Sequence, residues 1–274
     1  MKPTIIDARR MIRVWSIILA KNRKVAKVVR PWMNFDVPSK VSRLWLHKLP
    51  IVESSSMRII NIPVFLQSCL PAILSSCFPD MPLEVIQFPH PTLRHPSRPL
   101  KKIDAQVRAW VAEMFELMYK HKGIGLAANQ VDLPYRLFIV NETGDRKTGK
   151  ELVFVNPVLT RPKGQAEAEE GCLSLPGLYA DVRRPAQITV DAYDLEGKPM
   201  HYELDGLFSR VVQHETDHLD GRLFIDRLNS TNQLKIEPAL EEFQIQFDQQ
   251  RAQRGIADDA TLAARIKELE TART

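Results

Sequence analysis

Cysteine is scarce in this chain, with 3 in 274 residues: Cys69, Cys77 and Cys172. So sparse and odd a count excludes a disulfide-built scaffold and fits a reducing compartment. Long apolar runs are missing too. The stretch 59–78 is interrupted by Asn61, Pro63 and Pro71, so nothing reaches the roughly 20 residues that a membrane-spanning helix needs. No internal repeat is visible. Positive charge is lacking where a nucleic-acid-binding domain would need it. The formal net charge is +5, but residues 1–80 hold 13 Lys+Arg against 4 Asp+Glu, whereas residues 81–274 hold 25 against 29. The basic character therefore belongs to the first 80 residues, and no direct nucleic-acid or membrane binding is expected of the remainder.

Hydrophobic residues make up 44% of the chain, enough in composition for a buried core. Residues 1–80 scatter basic, Trp and Pro residues without a helical or strand period. Three readings compete for them: an organelle presequence, a signal or lipid anchor around Leu74-Ser75-Ser76-Cys77, or a segment preceding a true start at Met81. The third is favoured, because Met81 opens a stretch that reads like the beginning of a small enzyme. The expected organisation is a basic extension over 1–80, disordered or untranslated, a catalytic domain over 81–230 and a helical extension over 231–274. A bacterial cytoplasm is the expected location, with an organelle as the alternative if residues 1–80 are a presequence.

Leu83–Ile86 reads as a short opening strand, followed by an extended stretch set by Pro89, Pro91, Pro96 and Pro99. Ile103, Val107, Trp110, Val111, Met114, Phe115 and Met118 recur at helical spacing, which predicts an amphipathic helix over 103–121 with Asp104 as a cap. The period then changes to that of strands at 137–140, 152–156, 188–195 and 200–204, separated by turn signals. Residues 207–219 are again helical, and 233–251 and 261–270 form a polar, helix-prone tail on the outside.

The sharpest local signal is Gln213-His214-Glu215-Thr216-Asp217-His218. Histidines at i and i+4 lie on one helix face, one turn apart, so both imidazoles can reach one metal ion. Glu215 between them is placed to act on a metal-bound water as general base. A catalytic site of this kind wants a third protein ligand and an open position. Asp220, Asp226 and Glu237 downstream are candidates, and so is the Cys172 thiolate upstream, in a run of small and turn-forming residues that suits a loop or strand end. His90, His95, His121 and His201 are assigned surface or structural roles.

Three segments together resemble peptide deformylase: Gly123-Ile124-Gly125-Leu126-Ala127-Ala128-Asn129-Gln130, then Glu170-Gly171-Cys172-Leu173-Ser174, then the histidine motif. The resemblance covers about Met81 to Leu228. It implies an α+β fold, with short antiparallel sheets around a central metal-binding helix. It implies Cys172, His214 and His218 as ligands of one divalent ion, Fe2+ by preference, with Zn2+, Ni2+ or Co2+ as substitutes. It further implies hydrolysis of the formyl group from the amino-terminal formyl-methionine of nascent peptides, releasing formate, with the ribosome as a further partner. In that reading Glu215 moves protons, and the Gln130 amide and the Leu173 backbone N–H face the oxyanion. Gly123 and Gly125 let the backbone pair with the substrate as an added strand. Ile124, Leu207 and Val211 are candidates for the methionine pocket. Glu170 is expected to pair with a basic residue, Arg183 or Arg184.

Two other readings compete. The histidine motif alone fits a zinc endopeptidase, which would leave Cys172 and Gln130 without a task. A metal-stabilised peptide-binding protein would leave Glu215 without one. The metal-site reading fails if the Cys172 thiol lies beyond about 6 Å from both imidazoles.

Overall fold

The computed structural model describes residues 82–253 and 255–274. The expectations for residues 1–80 and for a start at Met81 lie outside these. The described chain is α+β. A five-stranded antiparallel sheet has the order β1-β2-β3-β6-β7, and a separate hairpin is made by β4 and β5. The strands are β1 (Gly125–Ala127), β2 (Leu137–Val140), β3 (Leu152–Lys163), β4 (Ala166–Cys172), β5 (Leu175–Arg184), β6 (Gln187–Tyr193) and β7 (Pro199–Leu204). The helices are α1 (Ala105–Lys120), α2 (Gly206–Leu219), α3 (Ser230–Ala252) and α4 (Asp259–Arg273). No described helix is long and apolar enough to cross a membrane.

The sheet is covered on both faces, and strand alternation decides which residue serves which side. Leu126, Leu137, Ile139 and Val155 join one buried cluster with Val107, Trp110, Val111, Met114 and Met118 of α1. Ala127, Phe138, Val140 and Phe154 join another with Val211, Val212 and Leu219 of α2. Strand β2 is therefore apolar at all four positions, the pattern of a strand buried on two faces. Helix α1 begins where Asp104 accepts a hydrogen bond from the Val107 N–H at 3.0 Å.

Helix α2 ends in a Schellman arrangement. The Gly221 N–H donates to the His218 carbonyl and the Arg222 N–H to the Asp217 carbonyl. Gly221 has φ +72° and lies against the Arg94 carbonyl, whose carbon a Cβ would approach to 2.9 Å. Glycine is required there by the backbone and by the neighbour together. The helix ends at Leu219, one residue beyond His218, so the motif occupies its last two turns.

Two expectations need correction. Leu83–Ile86 is not a strand. Prolines at 82 and 89 confine it, and its Ile86 N–H makes a single bond to the Gln130 carbonyl rather than a ladder. The hairpin of β4 and β5 was not predicted. Its buried side mixes Glu170 and Arg184 with Leu178, Ala180 and Val182, so the apolar alternation is confined to the middle of β5 and β4 shows little of it. The polar tail is helical. Helix α4 docks on the domain through Tyr135, whose hydroxyl donates to the Leu269 carbonyl at 2.7 Å, and through Arg273, which lies over the Trp110 ring.

Phe154 ties the sheet to α2: it stacks on Phe138 at 4.8 Å between centroids and meets Phe208 edge-on. Truncation in so tight a site leaves a cavity. Phe154→Ala is expected to lower stability by about 3–5 kcal/mol in urea denaturation. Val158→Ala, on the exposed part of the same strand, should stay within about 0.5 kcal/mol.

Candidate active site

The hairpin and α2 meet at three side chains. Cys172 is the last residue of β4, where the register shifts between Gly171 and Cys172 and the chain turns through Leu173 and Ser174 to pair Cys172 with Leu175. The thiol is thus presented at a strand end, as its small neighbours predicted. His214 and His218 project from one face of α2 with ring centroids 5.0 Å apart. Cys172 Sγ lies 3.2 Å from His218 Nε2, well inside the 6 Å limit. One ligand atom from each of Cys172, His214 and His218 lies within 4.8 Å of the others. Two of the downstream carboxylates are engaged elsewhere, Asp220 with Arg136 and Asp226 with Arg94, and Glu237 is exposed on α3.

Behind these groups is a buried ionic network. Arg184 is 1% exposed. It donates through Nε and Nη2 to both oxygens of Glu170, at 2.6 and 2.8 Å, and through Nη1 to Asp217 at 2.6 Å. Arg210 adds a bond to Glu170 at 2.6 Å, and Arg227 pairs with Asp217. Glu170 Oε2 then faces His214 Nδ1 at 2.9 Å. Of the two basic residues considered for Glu170, Arg184 is the partner and Arg183 is exposed. Strand parity explains this. Glu170, Val182 and Arg184 share the inward face of the hairpin, so the buried Val182 marks the side on which its second neighbour must also lie. Arg210 and Asp217 were not foreseen, although Asp217 sits three residues beyond His214 on the same helix.

The network sets the protonation pattern. Burial works against the charge on Glu170, but Arg184 and His214 hold its carboxyl far below the usual carboxylate range. Burial also opposes charge on His214, yet its hydrogen bonds to Cys172 and Glu170 push it up to about 10. His218 is held well below its ordinary value, first by burial and then by the positive charge on His214. Glu215 is pushed up to about 7, chiefly by burial.

Glu215 is 4% exposed, and its Oε2 has no hydrogen-bond partner among the described residues. A Cβ on Gly125 would fall 2.9 Å from the Glu215 Cδ, so the absence of a side chain in β1 is what admits the carboxyl. Gln130 belongs to a 3-10 turn after β1. Its Oε1 accepts from the Ala127 N–H at 2.8 Å, and its Nε2 is turned toward Ser174 Oγ at 3.2 Å and Cys172 Sγ at 3.4 Å. Leu173 packs against Gly123, where a Cβ would lie 2.9 Å from Leu173 Cδ1. These contacts bring the three sequence segments to one place.

The residues considered for an apolar pocket separate. Ile124 is half-buried against the cluster on the α2 face of the sheet. Val211 is a buried member of that cluster. Leu207, in the first turn of α2, is 52% exposed. The other histidines have local partners: His90 accepts from the Thr92 N–H, His95 pairs with Glu270, His121 caps α1 and His201 pairs with Asp191.

Comparison with known proteins points the same way. Residues 82–234 match the polypeptide deformylase family. The chain is 50% identical over 190 residues to a peptide deformylase of Rhodopirellula baltica, covering 69% of this chain and 94% of that protein. It is 40% identical over 171 residues to the chloroplastic peptide deformylase 1B of Oryza sativa subsp. japonica, covering 62% of this chain and 64% of that one. Among solved structures, a plant peptide deformylase PDF1B superposes with a TM-score of 0.62 at 36% identity, covering 66% of this chain and 98% of that one.

Arg184 compensates two buried carboxylates at once, whereas Arg183 faces solvent. Removing one partner of a buried pair strands the other's charge. Arg184→Met is expected to lower stability by about 3–5 kcal/mol, and Arg183→Met by no more than about 0.5 kcal/mol, both read by urea denaturation at neutral pH.

Proposed function

This chain belongs to the peptide deformylase family, and from that premise we propose that Cys172, His214 and His218 hold the catalytic cation while Glu215, Gln130 and the Leu173 amide act on the substrate. The activity is the family's: a metal-dependent hydrolase that removes the formyl group from the amino-terminal formyl-methionine of nascent polypeptides and releases formate. The observation that carries the residue assignment is the convergence of one sulfur and two imidazole nitrogens within 4.8 Å of one another, beside a buried carboxylate oxygen with no partner.

The donor set fits a divalent ion of borderline or soft character. Bond lengths of roughly 2.0–2.3 Å to such an ion require donors a few ångströms apart. The proton that His214 retains to about 10, between Cys172 and Glu170, is the positive charge that a cation would replace. Fe2+ is the proposed ion, with Zn2+, Ni2+ or Co2+ as substitutes. Once bound, it supplies Lewis-acid polarisation and lowers the pKa of water next to it.

The chain's own groups supply the rest. Glu215 takes a proton from the attacking water and delivers it to the departing nitrogen, a role suited to a carboxyl tuned to about 7. Gln130 aims its Nε2 beside the thiol, where the carbonyl oxygen gains charge, and its own Oε1 is fixed by Ala127. The Leu173 N–H lies in the adjoining turn as a second donor. Strand β1 is an edge of the five-stranded sheet, so one side of its backbone is open to a peptide added as a strand along Gly123–Gly125. Such pairing reads little of the sequence that follows the first residue. Ile124 and Leu207 are proposed to flank the methionine side chain, with Val211 as the buried floor beneath.

The substrates are nascent chains, so we place the work at or near the ribosome. A bacterial cytoplasm is inferred from the higher identity to the Rhodopirellula baltica protein than to the chloroplastic one.

Incubation of the metal-loaded chain with a formyl-Met peptide should release formate and leave the internal peptide bonds intact. Glu215→Gln should lower kcat by about 10²- to 10⁴-fold while metal content stays at the wild-type level. Internal cleavage, or an active Glu215→Gln variant, would refute the assignment. Cys172→Ser should lose bound metal and activity together, measured by elemental analysis beside the formate assay.

A further inference from the structure

His214 and His218 differ on the side away from the thiol. The Nδ1 of His214 meets Glu170 at 2.9 Å, whereas the Nδ1 of His218 is buried and has no hydrogen-bond partner among the described residues. An imidazole that offers Nε2 as a ligand carries its proton on Nδ1, and that N–H needs an acceptor to fix the ring. Besides the Glu215 Oε2 and the Ser97 Oγ, the buried groups near this helix that lack a partner among the described residues include an acceptor, the side-chain oxygen of Asn129. Asn129 is fully buried in the turn that also carries Gln130. It is already joined to His218, because its Nδ2 donates to the His218 backbone carbonyl. Donor and acceptor without partners thus sit on two residues that the fold has hydrogen-bonded together. Chance seldom leaves such a complementary pair buried.

We propose that Asn129 is the positioning residue for His218: its amide N–H holds the main chain, and its Oδ1 accepts the Nδ1–H of the ring through one shared water. Asn129 thereby does for His218 what Glu170 does for His214, with a neutral acceptor in place of a carboxylate. The two ligands therefore differ in basicity, His214 being the stronger donor. The inference rests on the metal-site reading given above.

The test uses the full chain and Zn2+. Affinity is measured by competition with a chelating dye, and fold by urea denaturation of the metal-free protein. Asn129→Leu removes donor and acceptor, and should weaken Zn2+ binding by about 10- to 100-fold. Asn129→Asp keeps the acceptor and loses the donor, and should stay within about threefold of wild type. In the Zn2+-loaded, 15N-histidine-labelled protein, two slowly exchanging imidazole N–H signals are expected, from His214 and His218. One should vanish in Asn129→Leu and both should persist in Asn129→Asp. Wild-type affinity in both variants overturns the proposal. Equal weakening in both also overturns it, because Asn129 would then act only through the His218 carbonyl. If Asn129→Leu does not fold, Asn129→Asp decides: affinity weakened by more than about threefold, or loss of one of its two signals, overturns the proposal. Failure of the wild-type chain to bind Zn2+ refutes the ligand assignment itself, and is thereby distinguishable from failure of this inference.

Discussion

One guanidinium sets the geometry of the site. Arg184 lies at the end of β5, fully enclosed, and holds Glu170 of β4 with two bonds and Asp217 of α2 with a third. Burying these charges costs desolvation energy that their mutual attraction only partly returns, so stability is a poor explanation for them. Position is a better one. Two bonds from a planar fork fix the plane of the Glu170 carboxylate. Its Oε2 is then directed at His214 Nδ1, which turns the other ring nitrogen toward Cys172. The bond to Asp217 locks the helix to the same strand. Hairpin and helix carry the thiol and the two imidazoles respectively, so a shift of about 1 Å between them would be felt by every pair of donors.

The helices and the strands β2, β6 and β7 were legible from apolar periodicity, whereas the three-residue β1 was not read as a strand and β3 runs to Lys163, past the expected end at residue 156. Helix α1 shows seven buried hydrophobic residues at helical spacing, and its Asp104 cap could be read in place. Strand β2 is so uniformly apolar that its bounds were found without error. The β4–β5 hairpin was invisible for the complementary reason. On β4 the face that carries Glu170 otherwise holds only Ala166 and Ala168, a weak apolar signal, and the short Leu178, Ala180, Val182 alternation of β5 ends in the charged Arg184. The short opening stretch misled in the other direction, since Leu83, Val85 and Ile86 are apolar but find no strand to pair with.

Much the same division runs through the site. Motif spacing alone placed His214, His218 and Glu215, because a helix converts i and i+4 into one face. Cys172 needed the resemblance to a family, since 42 residues and three strands separate it from His214. The choice between Arg183 and Arg184 needed a register that only the folded hairpin supplies. Asn129 drew no attention because an amide within a run of small residues reads as turn chemistry. Its meaning depends on which backbone carbonyl its nitrogen finds, 89 residues away.

Glu215 shows how the surrounding shell serves the chemistry. A buried carboxyl usually gathers hydrogen bonds, yet this one keeps an oxygen unpartnered while its neighbours on the helix, His214 and Asp217, are tightly held. The contrast is economical in a physical sense. Groups that must stay still are tied by charge-assisted bonds, and the group proposed to exchange a proton is left with an oxygen unpartnered among the described residues and a pKa raised by desolvation. Gly125 completes the arrangement by keeping side-chain atoms away from that carboxyl. The strand that lines Glu215 is also the edge strand offered to a peptide, so the backbone that would bind substrate and the base that would act on it are held in register by one residue without a side chain.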